Sequence, residues 1–279
     1  MSYCNLASSS AARRWLLLAG LGFGAIADAN AGTMPTPDAL RLCMSHNIPA
    51  TVHIRELGMD VTDPSGSIRQ THARLTMRLE PAKIEGRPRG WMVKLRIQAP
   101  VSLSGMAYLA RRSASGHGDG LFVYLPAMHR VKRVNLGLGS SPLLGSSLSY
   151  RDLEQLQTAF SQMAPLSLTA TQWMSRPAYE VSYQPAVTAD DDYSQIRMLV
   201  DQASCLPVQA DFLSHDTIRK RLSSSAAAIR KSGRYFYLEK LEMHDLLTDI
   251  RTVLTMKKMS SDGATGRSSF EEVNFYLRD

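Results

Sequence analysis

The sequence predicts an α+β fold: one curved, mostly antiparallel sheet of about ten strands with a few covering helices. Three observations lead there. Apolar and polar residues alternate with period two along most of the chain, most cleanly where Trp91, Val93, Leu95 and Ile97 are set against Met92, Lys94, Arg96 and Gln98. The connections are short and carry turn chemistry, as in Asp63-Pro64-Ser65-Gly66. Helical periodicity is confined to two stretches, residues 37–45 and 151–160. A sheet of this size must curl, and its concave face needs a cover, part of which can be ligand.

Taken in order, residues 1–31 have the layout of a secretory signal peptide. Arg13 and Arg14 form the positive region, Trp15 to Ala27 the apolar core, and Ala29-Asn30-Ala31 a small-x-small cleavage site. An uncleaved membrane anchor is the alternative reading. The arginine pair fits the twin-arginine route in that pair alone, so Sec and twin-arginine export both stay open. No cysteine follows the apolar core, so no lipid anchor is expected. Cleavage after Ala31 leaves residues 32–279 as an exported chain, long enough for one large domain or two small ones. The leader's Arg13, Arg14 and Asp28 take one positive charge of the formal +7 with them. A cationic exported protein can meet anionic headgroups or an acidic partner, or simply carry a basic surface.

Of the 3 cysteines, Cys4 leaves with the leader. Cys43 and Cys205 then share an oxidising compartment, where a disulfide is the default and two buried free thiols the alternative. Closing so long a loop stabilises by roughly 4–5 kcal/mol on the chain-entropy model. Neither cysteine has a second Cys or a His at ligand spacing, so no metal site is expected.

Thr36 caps a short helix that begins at Pro37 and carries Leu40, Leu42 and Met44. Strands follow at Val52–Val61, with a parity change that predicts a bulge near Glu56-Leu57, then at Leu75–Leu79, Trp91–Ile97, Met106–Arg112 and Leu121–Leu125. A loop with Pro81, Gly86 and Pro88 and a Gly-rich turn at 113–120 separate them. The stretch from Phe122 to Leu153 organises the chain. It passes from an apolar strand through Pro126 and the basic residues Arg130, Lys132 and Arg133 into a slack Gly/Ser/Leu segment. It ends in a helix expected to carry Leu153, Leu156 and Phe160 on one side. Further strands are expected at 166–174, 179–183, 193–200, 208–212 and 218–222. Residues 235–243 and 250–258 then pair around Asp245–Asp249, and Phe270–Leu277 closes the chain.

Enzyme signatures fail one by one. Gly139-Ser140-Ser141 and Gly145 lack the Lys-Ser/Thr of a phosphate loop, and no Gly-x-Ser-x-Gly elbow exists. His117-Gly118-Asp119-Gly120 is better read as a hairpin turn. The 7 histidines contain no metal-binding pair at i,i+4. Asp190-Asp191-Asp192 lacks EF-hand spacing. Glu80 with Glu85, and Asp60 with Asp63, read as solvated carboxylates. The basic run has no interleaved aromatic platform, so nucleic acid is not a partner. The chain is therefore not expected to be an enzyme, and no cofactor is expected.

Four segments carry a resemblance to a known family. They are Val123-Tyr124-Leu125-Pro126 leading into Arg130, Lys132 and Arg133; the Ser/Gly loop ending Leu148-Ser149-Tyr150-Arg151-Asp152-Leu153; Val200-Asp201 through Leu206-Pro207-Val208; and Phe275-Tyr276-Leu277. In their order and spacing, from Thr36 to Asp279, the chain resembles the LolA-like outer-membrane lipoprotein-sorting proteins. Where that family commonly has a small residue before the first arginine, this chain has Met128-His129. The resemblance implies that residues 32–279 form a single domain, an open half-barrel enclosing an apolar cavity. It implies a periplasmic carrier of lipoprotein or lipid acyl chains, in transient contact with a membrane surface. An inner-membrane exporter of the resistance-nodulation-division type is the further partner it implies. The alternative function is a non-catalytic docking module of such an exporter.

Cavity candidates are Trp91, Val93, Leu95, Ile97, Met77, Met106, Tyr124 and Met198. All but one of the 14 methionines follow residue 31, and flexible thioethers suit irregular ligands. The plainer reading is that Met77, Met92, Met106 and Met198 fill a core. Arg130, Lys132 and Arg133 are candidates for holding a headgroup or partner, with a solvated strand edge as the rival reading.

Overall fold

The computed structural model describes residues 34–80, 90–113, 120–134, 141–161, 164–185, 193–261 and 266–277. The leader, the loop around Gly86 and Pro88, the His117-Gly118-Asp119 turn, Gly139-Ser140 and Asp190–Asp192 lie outside the described residues. Residues 34–279 cluster as one unit.

Helix α1 (Pro37–Ser45) starts where its sequence says it should. Thr36 Oγ1 accepts the Ala39 amide at 3.2 Å, and proline stands in the first turn. The strands are β1 (Thr51–Thr62), β2 (Ile68–Leu79), β3 (Trp91–Ala99), β4 (Ala107–Arg112), β5 (Gly120–Leu125) and β6 (Arg130–Val134), then β7 (Ser167–Trp173), β8 (Arg176–Tyr183), β9 (Gln195–Asp201), β10 (Pro207–Ser214) and β11 (Thr217–Ser223). After β12 (Ile229–Ser232) and β13 (Tyr235–Leu238) come β14 (Lys240–Asp245) and β15 (Ile250–Ser260). Between β6 and β7 lies helix α2 (Tyr150–Ser161).

One open sheet holds 13 strands in the order β6-β5-β4-β3-β2-β1-β15-β14-β11-β10-β9-β8-β7, and β12 and β13 form a separate pair. Every pairing is antiparallel, and the expected count of about ten is too low. The excess has physical causes. The basic run is itself a strand, the edge strand β6, whose charged residues show no one-sided alternation. The stretch 235–243 divides at Glu239 into strands of different sheets. The expected bulge is present as a register shift between Ile54 and Leu57. Phe270–Leu277 adds no strand: residues 267–270 form a 3-10 turn and the rest are turns.

Helix α1 and helix α2 pack on one side of the sheet. Leu40, Met44, Leu148 and Leu156 cover Val181, Ile196, Met198, Val200, Phe212 and Met243, all buried. The disulfide Cys43–Cys205, with its Cα atoms 5.7 Å apart, ties α1 to the β9–β10 turn. The rotation of α2 differs from expectation. Leu153 is 45% exposed, while Asp152, Gln155 and Leu156 are buried. The cap decides this: the Ser149 amide donates to Asp152 Oδ2 at 2.8 Å, and Ser149 Oγ accepts the Asp152 amide at 3.1 Å. Lys220 and Tyr193 also donate to the Asp152 carboxylate, each at 2.8 Å, so the aspartate is turned inward. The side chain of Phe160 lies outside the described residues.

The end of the Gly/Ser segment, expected to be slack, is fastened instead. Ser147 Oγ donates to the Met243 carbonyl at 2.7 Å, and the Ser147 amide donates to Thr252 Oγ1 at 2.9 Å. Arg69 donates to the Gly145 carbonyl at 2.8 Å. Gly145 has φ +68°, the left-handed conformation that favours glycine.

Candidate functional site

Residues directly opposite in neighbouring strands share a face, so the pairing register lays out both faces of β1–β6. On the helix side two rows cross six strands. One runs Val52, Met77, Val93, Ala110, Leu121, Val134. The other runs Ile54, Leu75, Leu95, Tyr108, Val123 and ends at Lys132. At the usual strand spacing each row extends over about 24 Å. Their middle residues, Leu75, Met77, Val93, Leu95, Tyr108, Ala110 and Val123, are half-buried. Leu75, Met77 and Leu95 border a cluster with Val52, Ile54, Leu57, Ala73, Met256 and Met259, and among the described residues no helix residue joins it. Burial pushes the Tyr108 hydroxyl above the ordinary tyrosine range. At the end of β3 the buried Trp91 indole N–H has no acceptor among the described residues.

Of the residues singled out from sequence, Trp91, Val93, Leu95 and Ile97 alternate onto this face, and Met77 lies opposite Val93. Met106 precedes β4, where its carbonyl accepts the Ile97 amide at 2.9 Å. Met198 shares the face but sits fully buried under the helices, far along the sheet order from β3. Tyr124 is on the other face, stacked on Tyr276 with ring centroids 4.0 Å apart. The basic trio is divided in the same way. Arg130 and Lys132 alternate onto the apolar rows' side, opposite Leu125 and Val123. Arg133 lies on the reverse side, its guanidinium 5.8 Å from the Phe122 ring.

The reverse face of β3, the polar half of its alternation, is covered where Met92 and Lys94 are buried. The closing segment supplies the cover: Phe270 and Phe275 pack with Met92, Ala107, Leu109 and Phe122. Arg111 fastens it through a 2.7 Å ion pair with Glu272. Beside this cover lies a cavity of about 450 Å³ lined by Arg74, Thr76, Lys94, Arg96, Gln98 and Phe275, among others. Sequence reasoning missed this cluster. Its cations sit on two strands, and each reads as the polar half of an ordinary amphipathic strand.

Comparison with known proteins places this geometry. A domain from Vibrio parahaemolyticus described as an outer-membrane lipoprotein-sorting protein is similar in structure, with TM-score 0.69, 18% identity, and 85% of this chain and 96% of that one covered. A DUF1329-family protein from Desulfovibrio piger is similar with TM-score 0.73, 17% identity and coverage of 83% and 94%. A LolA-superfamily protein from Nitrosomonas europaea is similar with TM-score 0.61, 15% identity and coverage of 87% and 100%. Among curated proteins none matches. The model of a family described as "Uncharacterized protein" matches residues 93–275, well over half of the sequence. The chain belongs to that family, and its fold is that of the LolA-superfamily and lipoprotein-sorting structures it resembles.

Proposed function

We propose that the chain is an exported, non-catalytic carrier that holds the acyl chains of lipoproteins or lipids against the two apolar rows of β1–β6. The half-buried middle of those rows carries the reading. Covering Leu75, Met77, Val93, Leu95 and Val123 with hydrocarbon removes their remaining apolar surface from water. Each methylene of the cargo contributes about 0.8 kcal/mol, so a chain of about 16 carbons gains on the order of 12 kcal/mol in a dry site. Met77 and Met106 give the lining flexible thioethers that can follow an irregular cargo. The unpaired indole N–H of Trp91 suits an ester or amide carbonyl at one end of the rows. Arg130 and Lys132 flank the other end, where a phosphate headgroup would meet them.

A strongly curved, half-barrel form of the open sheet would complete the enclosure. The Cys43–Cys205 disulfide suits an oxidising compartment such as the periplasm. Residues 1–31 would direct the chain there and be cleaved after Ala31, with transfer proceeding towards the outer membrane.

Native mass spectrometry of protein purified from membrane-containing cells tests the proposal. The expected result is co-purifying, extractable lipid that decreases in Val93→Glu and Leu95→Glu while both variants stay folded. An empty wild-type chain that also fails to bind a fluorescent fatty acid would overturn it. The docking reading predicts instead that cross-linking captures an inner-membrane exporter with no lipid present.

A further inference from the structure

The cavity on the reverse face is built unlike the rest of the sheet. Arg74 and Arg96 stand directly opposite each other on β2 and β3, and Lys94 stands opposite Thr76 one strand position pair further along. Like charges set directly across a strand pair repel. Among the described residues neither Arg74 nor Arg96 has a carboxylate partner, and no Asp or Glu lines the cavity. Lys94 is only 6% exposed, with its Nζ 5.7 Å from the centroid of the Phe270 ring. Phe275 and Leu277 provide an apolar wall, and Thr76, Gln98 and Ser104 add neutral hydrogen-bonding groups.

The opposite wing of the sheet shows how this fold treats the same arrangement elsewhere. Arg197 and Arg221 flank the buried Asp211 across β9, β10 and β11, at 3.2 and 2.6 Å. There the protein supplies the anion between two arginines. Between Arg74 and Arg96 none of the described residues does so.

We infer that the cavity between β2–β3 and the closing segment is a binding site for a phosphate group, with Arg74 and Arg96 as its cationic ligands. Two guanidinium forks match the oxygens and the charge of a phosphate ester. The volume is that of a small-molecule site rather than of a lone ion, so the phosphate arrives with an organic substituent that meets Phe275 and Leu277. This site lies on the opposite face from the apolar rows and is separate from the carrier reading.

The substituent can belong to a lipid headgroup or to a soluble phosphate ester, and one experiment separates them. The full chain is tested at physiological salt for flotation with vesicles of phosphatidylglycerol or of phosphatidylcholine alone, and by calorimetric titration with glycerol phosphate. Arg74→Gln/Arg96→Gln is compared with wild type and with Lys240→Gln/Lys257→Gln, which removes two exposed cations elsewhere on the sheet. The Arg74/Arg96 variant is expected to weaken binding by about tenfold or more, with the Lys240/Lys257 variant much closer to wild type. Loss confined to the phosphatidylglycerol vesicles assigns a lipid headgroup, and loss in the glycerol phosphate titration assigns a soluble ester. Both substituted arginines keep solvent contact and repel each other, so the thermal midpoint should hold or rise, which separates lost binding from lost folding. Absence of binding in both arms, or equal weakening by the two double variants, overturns the inference. Unchanged lipid loading in Arg74→Gln/Arg96→Gln keeps this outcome distinct from failure of the carrier proposal.

Discussion

Across β8–β11 and β14, the helix side of the sheet is sealed by the protein's own residues, with Ile196, Met198, Phe212 and Met243 fully buried beneath α1 and α2. Across β2–β5 the same side carries Leu75, Met77, Val93, Leu95 and Val123 in equally regular alternation, yet these stay half-buried. The strands do not differ in kind; the cover among the described residues does. A period-two apolar stripe therefore states which residues share a face, and only the elements laid over that face decide whether it becomes core or binding surface.

Three measurements break or sharpen this contrast. The largest effect is expected from Cys43→Ser/Cys205→Ser, which releases α1 from the β9–β10 turn across a sequence separation of 162. It should cost about 4–5 kcal/mol on the chain-entropy model. Amide hydrogen exchange should rise first in residues 37–45 and least in β2–β5. A uniform rise would mean that the two regions unfold as one and that the contrast has no energetic meaning.

Next comes a pair of truncations. Phe212→Ala opens a cavity in sealed packing and should cost about 3–5 kcal/mol. Val93→Ala removes a half-exposed side chain and should cost well under that, about 1 kcal/mol or less. Denaturant midpoints measure both, and equal losses would show that β3 is as tightly packed as β10.

The smallest effect concerns pH. Burial alone would raise the Asp201 carboxyl, but hydrogen bonds from Arg176 and Ser204 outweigh it and hold the group below the ordinary carboxylate range. A depressed folded-state pKa means stability that is fully present above the unfolded value, about 3.9, and is lost as pH falls through the folded one. Wild type should therefore lose stability below about pH 4 more steeply than Asp201→Asn. Parallel acid limbs would exclude Asp201 as the source.

Much of the fold was legible because its signals are local. The Thr36-Pro37 cap, the bulge at Glu56-Leu57 and the Asp63–Gly66 turn each involve groups a few residues apart, and all are present. The faces of β3 were legible too, but not their environment. Met92 and Lys94 are buried by Phe270 and Phe275, residues far along the chain whose docking no strand pattern announces. The same distance hid the Arg74, Lys94 and Arg96 cluster, whereas Arg130, Lys132 and Arg133 stood out as a run although the strand's pleat sends them to opposite sides. In α2, periodicity suggested a Leu153 face, and the cap from Ser149 to Asp152 turned the helix otherwise.

The seam between β1 and β15 has a consequence for how such a chain is made. Each wing of the sheet is built largely from neighbours in sequence, but in the sheet the wings join along β1 and β15, where Ile54, Leu57, Met59 and Val61 meet Met259, Met256, Leu254 and Thr252. A polypeptide delivered amino end first can zip up β1 to β6 early, yet must wait with one flank of β1 bare until residues 250–260 arrive. Through that interval the bare flank of β1 is an unpaired strand edge, and the sheet is complete only when β15 is home.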